Sequence, residues 1–377
     1  MIDDPRAAVE LDAGFADEVL LSSVSGIGPK TRMALLEQFT SATAVLNAAP
    51  SALRSVSGVG PKLVQAILAA RGSFDVAALL DECRRHEVAI YTPSSTGYPR
   101  PLRDIHDPPG VLYARGALLE RDALAVAIVG SRHATQYGLK IAEQLAGGLA
   151  RTGLTIISGL ARGIDTAAHR GALEAGGRTI GVLGSGVLNI YPPEHVSLAE
   201  AVIQSGAILS EAPLHGQPTT GSFPQRNRLI TGLSLGTIVV EAADRSGALI
   251  SARLADEQGR TVMAVPGRLD SRMSSGCHAL IRDGAVLVRN VDDVIESLGH
   301  LAEAAQVAVG QTVHHPAELT LNEVEQTVLN AVDTQATSLD AVAEKAKLPI
   351  HQVLATLSVL EMRRLIRRVS GSLVIRL

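Results

Sequence analysis

Seven apolar segments alternate with amphipathic helical segments between residues 123 and 299, and this alternation constrains the fold more than any other feature. Because the segments are continuous β-branched runs without polar alternation, we expect strands buried on both faces. Helices between such strands make them neighbours in one doubly wound, mostly parallel sheet, so the predicted fold class is α/β. The predicted strands lie at 123–131, 155–161, 179–186, 206–212, 237–242, 261–267 and 284–290.

The turn after the second predicted strand is typical of an anion-binding site. Residues 156–173 read IISGLARGIDTAAHRGAL, in which a strand runs through a glycine-containing turn into a helix. That helix directs free N–H groups and a positive dipole at the sheet edge, and Gly159 and Gly163 permit a close backbone approach. Arg162 adds donors, and Asp165 is suited to cap the helix. The spacing differs from the dinucleotide fingerprint and from the Walker A loop, so phosphate is expected without the usual nucleotide cofactors.

Other predicted strand ends bring small, hydroxyl-bearing and basic residues to the same edge. Glu211, Glu241 and Arg245 also follow strands there. The segment FPQRNR, expected just before a helix, adds Phe223, which is suited to stack on a base as in single-stranded DNA sites. A bulky polyanion suits this set better than one phosphate does. The candidate nucleic-acid-binding residues are Gly130, Ser131, Arg132, Ser158, Gly159, Arg162, Gly163, Gly184, Ser185, Phe223, Arg226, Asn227 and Arg228.

Composition and net charge limit the kind of protein that can carry this site. The chain has 377 residues and a formal net charge of −4, so any nucleic-acid contact must be a local basic patch. No run of about 18 apolar residues is present, and an acidic N-terminus replaces a basic signal region, so neither a membrane span nor secretion is expected. Cys83 and Cys277 lie far apart without metal-type spacing, which suits a reducing cytoplasm. No catalytic residue, metal ligand or cofactor is assigned.

An internal repeat marks the first domain, which is predicted at 1–80. SGIGPK at 25–30 recurs as SGVGPK at 57–62, and a periodic apolar helix follows each copy. The unit resembles the paired helix-hairpin-helix modules that grip DNA phosphates without reading bases. A small helical domain that only packs or contacts proteins is the alternative left open. The candidate phosphate contacts are Gly26, Gly28, Lys30, Gly58, Gly60 and Lys62.

The rest of the chain divides into a sheet domain at 81–300, a linker at 301–317 and a tail domain at 318–377. Before the first core strand, a Pro-rich irregular connector is expected, with a strand only at 111–114. The tail has three predicted helices and a two-strand wing around Ser370 and Gly371, which is the order of a winged helix. Base reading and protein contact both stay open for the tail. His314 and His315 are interpreted as linker residues, not as metal ligands.

The order of motifs resembles that of the DNA-processing protein A family, also called DprA or Smf. The upstream segment YPRPLRDIHDPPGVLYARG at 98–116 matches this family too, so the resemblance spans about 98 to 299 in full. It implies an extended Rossmann-like domain, and the flanking helix-hairpin-helix repeat and winged-helix tail are similar to accessory domains of the family. The motifs are GSR at 130–132, SGLARGIDTAAHRGAL at 158–173, GSG and YPPEH within 184–195, SEAP at 210–213, FPQRNRLI at 223–230, SGALISA at 246–252, VPG at 265–267 and LIRDGA at 280–285.

The resemblance implies a recombination mediator rather than an enzyme. Such a protein binds single-stranded DNA at the sheet edge, protects incoming strands during natural transformation, helps to displace single-strand-binding protein and loads the RecA recombinase. It acts as a homodimer through the Rossmann-like domain. Carried onto this chain, the arginines at 132, 226 and 228 and the turn 158–163 hold phosphates, and Phe223 lies beside a base. His195 and His278 stand where the family pattern predicts Asn, which leaves a polar donor in place.

Two other function classes compete with this interpretation. GLSLGTIVVEA at 232–242, with Gly236, Thr237 and Glu241, resembles an element of nucleoside-monophosphate phosphoribohydrolases, in which Glu and Arg cleave an N-glycosidic bond. The double-glycine phosphate loop that precedes that element is replaced here by Ser234 and Leu235. The third class is a duplex DNA-binding protein that acts through its two end domains. Binding to oligo-dT against duplex separates the first and third classes, and base release identifies the second.

Overall fold

A computed structural model describes residues 13–304, 321, 323–333, 337–362, 365–370 and 373–376. The predicted linker therefore lies largely outside the described residues, together with His314 and His315. Gly371, predicted at the tip of the wing, is outside them as well. The domain limits proposed from sequence stay predictions.

The N-terminal domain consists of short helices joined by two glycine hairpins. Gly26 and Gly58 have φ of +95° and +83°, which their missing Cβ permits. Gly28 and Gly60 then cap the next helices in nearly identical extended conformations, each followed by Pro at the first helical position. The predicted repeat is thus a structural repeat. The helices are α1 (Ala13–Ser23), α2 (Pro29–Phe39), α3 (Ala42–Leu46), α4 (Pro50–Arg54), α5 (Pro61–Ser73) and α6 (Val76–Arg85).

The central sheet has nine strands in the order β1-β2-β6-β5-β4-β3-β7-β8-β9. All seven predicted core strands form and run parallel from β3 to β9, while β1 and β2 pair antiparallel at one edge. The connector at 88–91 is therefore a strand, not irregular as expected. The bounds are β1 (Val88–Tyr91), β2 (Leu112–Gly116), β3 (Ala125–Val129), β4 (Thr155–Ser158), β5 (Thr179–Val182), β6 (Ala207–Ser210), β7 (Gly236–Val239), β8 (Thr261–Ala264) and β9 (Val286–Leu287).

Helices cover both faces of the sheet, which confirms the doubly wound α/β fold. In β3, Val126 and Ile128 pack with α8, α9 and α14, whereas Ala127 and Val129 pack with α11, α12 and α13. Both sets of side chains are buried, as continuous apolar strands require. The helices are α7 (Arg100–Arg103), α8 (Gln136–Arg151), α9 (Ile164–Glu174), α10 (Val196–Ser205), α11 (Ser222–Gly232), α12 (Gly247–Glu257), α13 (Ser275–Arg282) and α14 (Val291–Ala304).

Strand order fixes where a ligand can enter. From β3 the chain proceeds through β4 and β5 to β6 on one side, and then crosses back to place β7 on the other side of β3. Loops diverge at such a reversal and leave a crevice at the carboxyl ends of the two strands. The edge predicted from sequence to hold the ligand therefore contains the switch point.

The tail forms a winged helix with its own apolar core. Val342, Leu357 and Val374 are fully buried in it. Its small sheet has the order β10-β12-β11, in which the predicted wing strands pair antiparallel. The elements are α15 (Glu323–Asn330), β10 (Thr337–Ser338), α16 (Leu339–Ala346), α17 (Ile350–Met362), β11 (Ile366–Ser370) and β12 (Leu373–Arg376).

No single helix among the described residues has the length and apolar composition needed to cross a bilayer. The helices α5 and α6 reach that composition only when taken together, and they are bent by 65° where they meet.

Candidate nucleic-acid site at the carboxyl edge of the sheet

An open cleft of about 880 Å³ lies at the switch point. Loops that follow strands of the sheet and residues of the helices α9, α11 and α12 form its walls. Residues 130–133 follow β3, Ala161 and Asp165 follow β4, residues 243–247 follow β7, and Phe223, Arg226 and Asn227 come from α11. Strand ends distant in sequence therefore converge here, as the parallel sheet predicted.

Arg226 is the buried cation of this cleft. Its side chain is only 6% exposed, and its Nη1 lies 3.9 Å from Oδ2 of Asp165. Its Nε has no hydrogen-bond partner among the described residues. Burial lowers the pKa of Arg226 from its ordinary value, with Asp165 opposing the shift. A buried guanidinium with one unused donor at a cleft wall is suited to receive an anion.

Gly159 provides the space for this guanidinium. A Cβ built at Gly159 would overlap Nη1 of Arg226 and approach the carboxylate of Asp165. Gly163 has a related role one turn later, where its φ is +76° and a Cβ would collide with the carbonyl oxygen of Ser131. These two glycines bring the turn after β4 against both Arg226 and the loop after β3.

Asp165 lies inside the first turn of α9 and does not cap it, contrary to the expectation. The N-cap position is Gly163, without a side-chain hydrogen bond. Asp165 is 7% exposed and accepts a hydrogen bond of 3.3 Å from the Ala161 N–H. Burial raises the pKa of Asp165, while Arg226 opposes the shift. Its carboxylate thus holds the turn closed and faces Arg226.

A cation and an aromatic ring stack at the mouth of the cleft. The guanidinium carbon of Arg132 lies 4.6 Å from the ring centroid of Phe223, within cation–π range. Arg132 is exposed, and Phe223 is half-buried. Phe223 is the second residue of α11, so FPQRNR begins inside the helix and not before it as expected. A Cβ built at Gly184 would lie 3.3 Å from Phe223, which places the GSG turn behind this ring.

Two further exposed arginines line the cleft. Arg245 follows β7, where the sequence placed it at the edge without assigning it to the site. Arg272 lies in the loop between β8 and α13, eight residues beyond the end of its strand. No strand-end signal marks such a position, so sequence reasoning missed it. With Arg132 and Arg226 these residues make the walls predominantly basic, against Asp165 and Asp244.

Arg228 is a correction to the predicted site. Its side chain is 4% exposed, pairs with Glu211 and lies with its Nε 3.2 Å from Oδ2 of Asp107. Burial raises the pKa of Glu211, and Arg228 opposes that shift. Because it faces two carboxylates and does not line the cleft, its geometry does not support a direct phosphate contact. It anchors α11 to the loops after β6 and before β2.

Other predicted residues stabilise the loops at this edge of the sheet through local hydrogen bonds. The Ser158 hydroxyl donates to the Ile128 carbonyl at 2.6 Å and is buried, and the Ser185 hydroxyl donates to the Asn189 carbonyl at 2.6 Å. The Ser131 hydroxyl accepts from the His133 N–H at 3.1 Å. Arg162 lies outside the cleft lining, exposed and paired with Glu194 at 2.5 Å. Of the predicted set, only Gly130, Ser131, Arg132, Phe223, Arg226 and Asn227 line the cleft directly.

The two histidines at expected Asn positions both donate to backbone carbonyls. His195 Nδ1 lies 2.8 Å from the Leu160 oxygen, and His278 Nε2 lies 3.0 Å from the Gly267 oxygen. A ring nitrogen that faces a carbonyl must carry the proton. Leu160 has a φ of +55°, so His195 holds the turn after β4 in an uncommon conformation. The polar donor expected at both positions is therefore present.

Glu241 has a structural position rather than that of a free acid. Its Oε2 accepts from the Thr135 N–H at 2.8 Å, and its Oε1 accepts from the Thr135 hydroxyl at 2.6 Å. A Cβ at Gly138 would overlap this carboxylate, which is 3% exposed and does not line the cleft. Glu241 thus fastens the start of α8 to the end of β7. Within the described ranges, no group of three His, Cys, Asp or Glu side chains could hold a metal ion.

The paired glycine hairpins form a second candidate surface. A Cβ at Gly26 would lie 3.5 Å from Leu63, and a Cβ at Gly58 would lie 3.9 Å from Thr31. These contacts are equivalent in the two copies, so the hairpins lie side by side as pseudo-symmetric partners. Nothing lies within 4 Å of a Cβ built at Gly28 or Gly60, and Lys30 and Lys62 are exposed. Both helix N-termini are therefore open to a ligand.

Comparison with known proteins finds matches along most of the chain. A family model described as DNA recombination-mediator protein A matches residues 89–299. A SAM-like helix-hairpin-helix tandem matches 18–72 and 51–89, and a DprA winged helix domain matches 313–372. Protein Smf of Synechocystis sp. is 34% identical over 93% of this chain and 96% of its own length.

Two solved structures share the fold at comparable identity. The X-ray structure of DNA processing protein A from Streptococcus pneumoniae has a TM-score of 0.65 and 34% identity, over 74% of this chain and 97% of its own. DNA processing protein A from Helicobacter pylori, described with a single-stranded DNA binding mode, has a TM-score of 0.51 and 33% identity. That match covers 56% of this chain and 95% of the other.

Proposed function

This chain belongs to the DNA-processing protein A family, and from that premise we propose that it binds single-stranded DNA in the cleft at the switch point. The observation that carries the proposal is Arg226, a buried guanidinium with an unused Nε beside an open, basic cleft. A phosphate seated in the cleft would add an anionic partner at this guanidinium. The Helicobacter pylori relative, whose description names single-stranded DNA binding, supports the choice of ligand.

In this proposal the cleft residues have separate tasks. Arg226 and Arg132 hold phosphates, with Arg245 and Arg272 as further cations along the wall. Phe223 stacks on a base, and the turn 158–163 supports the site through Gly159 and the buried Ser158 hydroxyl. Such contacts touch the backbone and the face of a base, so binding is expected to be strong at low salt and nearly independent of sequence.

We further propose the biological role that the family relationship suggests. The chain would protect incoming strands during natural transformation, help to displace single-strand-binding protein and load RecA, acting as a cytoplasmic homodimer. A direct test is the DNA-dependent ATPase of RecA on strands coated with single-strand-binding protein. We expect this chain to restore that activity and an Arg132→Ala variant to restore much less. If the wild type and Arg132→Ala restore the RecA ATPase equally, RecA loading does not depend on the cleft.

Binding without catalysis is the proposal for the cleft. The phosphoribohydrolase alternative needs an available glutamate, but both carboxylate oxygens of Glu241 accept hydrogen bonds from Thr135. Incubation with nucleoside monophosphates is expected to release no free base. Base release that disappears in Glu241→Gln would establish the enzyme instead.

The central test compares two arginine variants in binding to labelled oligo-dT. Arg132→Ala removes an exposed cation from the cleft, in the loop that precedes α8. Arg151→Ala removes an exposed cation from the last turn of α8, at the end of the helix that lies farther from this loop. We expect Arg132→Ala to bind at least about tenfold more weakly and to lose roughly 0.7 from the slope of log affinity against log salt, the value for one phosphate contact on a single strand. Arg151→Ala is expected to match the wild type.

Each outcome of this comparison has a distinct meaning. Equal weakening by both variants would indicate general electrostatic attraction and not a site in the cleft. Wild-type affinity of Arg132→Ala for oligo-dT would contradict the proposal. Binding by the wild type to duplex alone would favour the end domains as the DNA-binding parts.

A further inference from the structure

We infer that Tyr191 is a second base-stacking platform, which extends the single-stranded DNA site from Phe223 across the segment 191–195. This inference rests on the proposed function, because it names an additional binding position for the same ligand. Tyr191 does not line the cleft itself. It therefore sets the direction in which the strand leaves the cleft, toward the loop after β5.

The geometry places Tyr191 beside Phe223, the ring that Arg132 covers at the cleft mouth. Its ring centroid lies 6.0 Å from that of Phe223 with 47° between the ring planes, and Arg132 covers Phe223 at 4.6 Å. Because the ring planes are tilted, the two rings do not stack on each other, and we assign them to two successive bases instead of one base held between them. Successive aromatic side chains are how sequence-tolerant single-strand sites hold successive bases.

The scarcity of aromatic residues makes this pairing informative. The chain has four phenylalanines, five tyrosines and no tryptophan. Among these, Tyr191 at 41% and Tyr137 at 50% are the ones with large exposure. The Tyr137 hydroxyl donates to the Pro266 carbonyl at 3.0 Å, whereas Tyr191 lies beside the half-buried Phe223. Exposure of an aromatic ring to water is unfavourable, and a base stacked on the Tyr191 ring would remove that exposure.

The segment that carries Tyr191 is held in place at its far end. Next to Tyr191, Pro192 is buried. His195 donates to the Leu160 carbonyl at 2.8 Å, and Glu194 accepts from Arg162 Nε at 2.6 Å. The platform is thus fixed to the same turn that supports Arg226. Little ordering is needed on binding, which favours affinity.

Charges flank the two platforms on both sides. Arg132 lies over Phe223, and the exposed Arg162 lies near the carboxyl end of the segment that carries Tyr191. Its partner Glu194 is exposed too, so water screens the pair and a phosphate can compete for the guanidinium. Arg162, which lies outside the cleft, therefore has a place on the extended path.

The test measures affinity for oligo-dT chains that grow by one nucleotide at a time. For the wild type, affinity should rise with a step when the strand becomes long enough to reach Tyr191. Tyr191→Ala should bind the shortest chains as the wild type does and lose the later step, by about fivefold or more. Tyr191→Phe should retain the step because the ring remains.

Tyr191→Leu separates stacking from simple support of Phe223. Leucine keeps apolar packing against Phe223 but has no flat π face, so it should lose the step as alanine does. Tyr137→Ala, which removes a comparably exposed ring elsewhere, should retain the step. If Tyr191→Leu keeps the full step, Tyr191 only supports Phe223 and the inference is wrong.

A spectroscopic test follows from the absence of tryptophan. Tyr191→Trp would introduce the only indole of the chain, and its fluorescence should be quenched by oligo-dT only above the length at which the step occurs. Tyr137→Trp is the matched control and should not be quenched at that length. Oligo-dT binding by the wild type without any effect of the Tyr191 variants would overturn this inference alone. Absence of oligo-dT binding by the wild type would overturn the proposed function itself.

Discussion

The guanidinium of Arg226 occupies space that exists only because residue 159 has no side chain. Changing Gly159 to alanine would put a methyl group where Nη1 now lies, close to the Asp165 carboxylate. We expect Gly159→Ala to displace Arg226 and to weaken oligo-dT binding about tenfold or more, with a destabilisation of about 1–3 kcal/mol from overpacking. Fluorescence anisotropy and urea unfolding measure the two effects.

The control for this prediction is another glycine-to-alanine change. A Cβ at Gly72, in α5, meets no atom within 4 Å, so Gly72→Ala should leave affinity unchanged and stability equal to or slightly above that of the wild type. If Gly159→Ala binds as tightly as Gly72→Ala, the position of Arg226 does not determine affinity.

A second residue links stability to pH. Burial lowers the pKa of His169 to about 3, whereas the unfolded chain titrates near its ordinary value of about 6.5. Between these values the unfolded state binds more protons, so the free energy of unfolding falls as the pH decreases. The contribution of His169 has a slope of at most about 1.4 kcal/mol per pH unit.

Urea unfolding at a series of pH values tests this linkage against His169→Asn. Asparagine keeps a donor toward the Thr179 hydroxyl, which lies 2.7 Å from His169 Nδ1, but has no proton to gain. We expect the variant to lose less stability than the wild type between about pH 6.5 and pH 4, because the histidine term is removed. Parallel curves would show that His169 does not titrate in this way.

At the scale of elements, the two glycine hairpins present equivalent helix N-termini. Gly28 and Gly60 cap α2 and α5 in the same conformation, and an exposed lysine follows each cap by two residues. We expect Lys30→Ala with Lys62→Ala to weaken duplex DNA binding severalfold and to leave oligo-dT binding unchanged, because the cleft is separate. Filter binding with both ligands measures this.

A charge-matched control strengthens the lysine prediction. Lys140→Ala with Arg151→Ala removes two exposed cations from α8 instead. If both double variants weaken duplex binding equally, the hairpins do not form a specific phosphate site and the alternative of a packing or protein-contact domain gains support.

The sequence was most informative about the secondary-structure elements. Long apolar runs predicted all seven parallel strands, because burial on both faces leaves a composition that is easily recognised. The strand at 88–91 was missed, since an edge strand paired antiparallel carries a weaker pattern beside a Pro-rich segment. The segment FPQRNR was placed just before α11 instead of within it, and Pro224 is tolerated in the first turn of that helix.

At the scale of the whole molecule, the helical domain packs against the sheet domain through a buried arginine. Arg32 of α2 is 6% exposed, and a Cβ at Gly110 would overlap its guanidinium and the Ser22 hydroxyl. Burial lowers the pKa of Arg32. Position 64, the equivalent of 32 in the second repeat, is valine. The repeat therefore diverged where one copy meets the sheet domain.

This contact gives a prediction about stability. Gly110→Ala should force Arg32 to move and should lower the free energy of unfolding by about 1–3 kcal/mol. Gly299→Ala in α14, where a Cβ meets nothing within 4 Å, should be neutral or slightly stabilising in a helix. Equal unfolding midpoints for both variants would show that the interface accommodates the methyl group.

Tertiary packing also explains which site residues the sequence did not resolve. Arg226 and Arg228 are two positions apart in one motif, yet one lines the cleft and the other pairs with Glu211 and Asp107. They point to nearly opposite sides of α11 because two residues correspond to about 200° of helical rotation, whereas the side that faces the cleft depends on loops distant in sequence, such as the one that carries Glu211. Arg272 was not predicted, because the long loop between β8 and α13 brings it to the cleft.

Because Arg226 and Asp165 are incompletely paired, selection for thermal stability and selection for DNA binding would favour different residues at these two positions. Buried ion pairs are often no more stable than apolar side chains of similar volume, and this pair is held at 3.9 Å with a donor unused. A population of variants selected only for thermal tolerance would therefore drift toward apolar residues at both positions. A population that must retain DNA would keep them, and bound strands would raise its melting temperature.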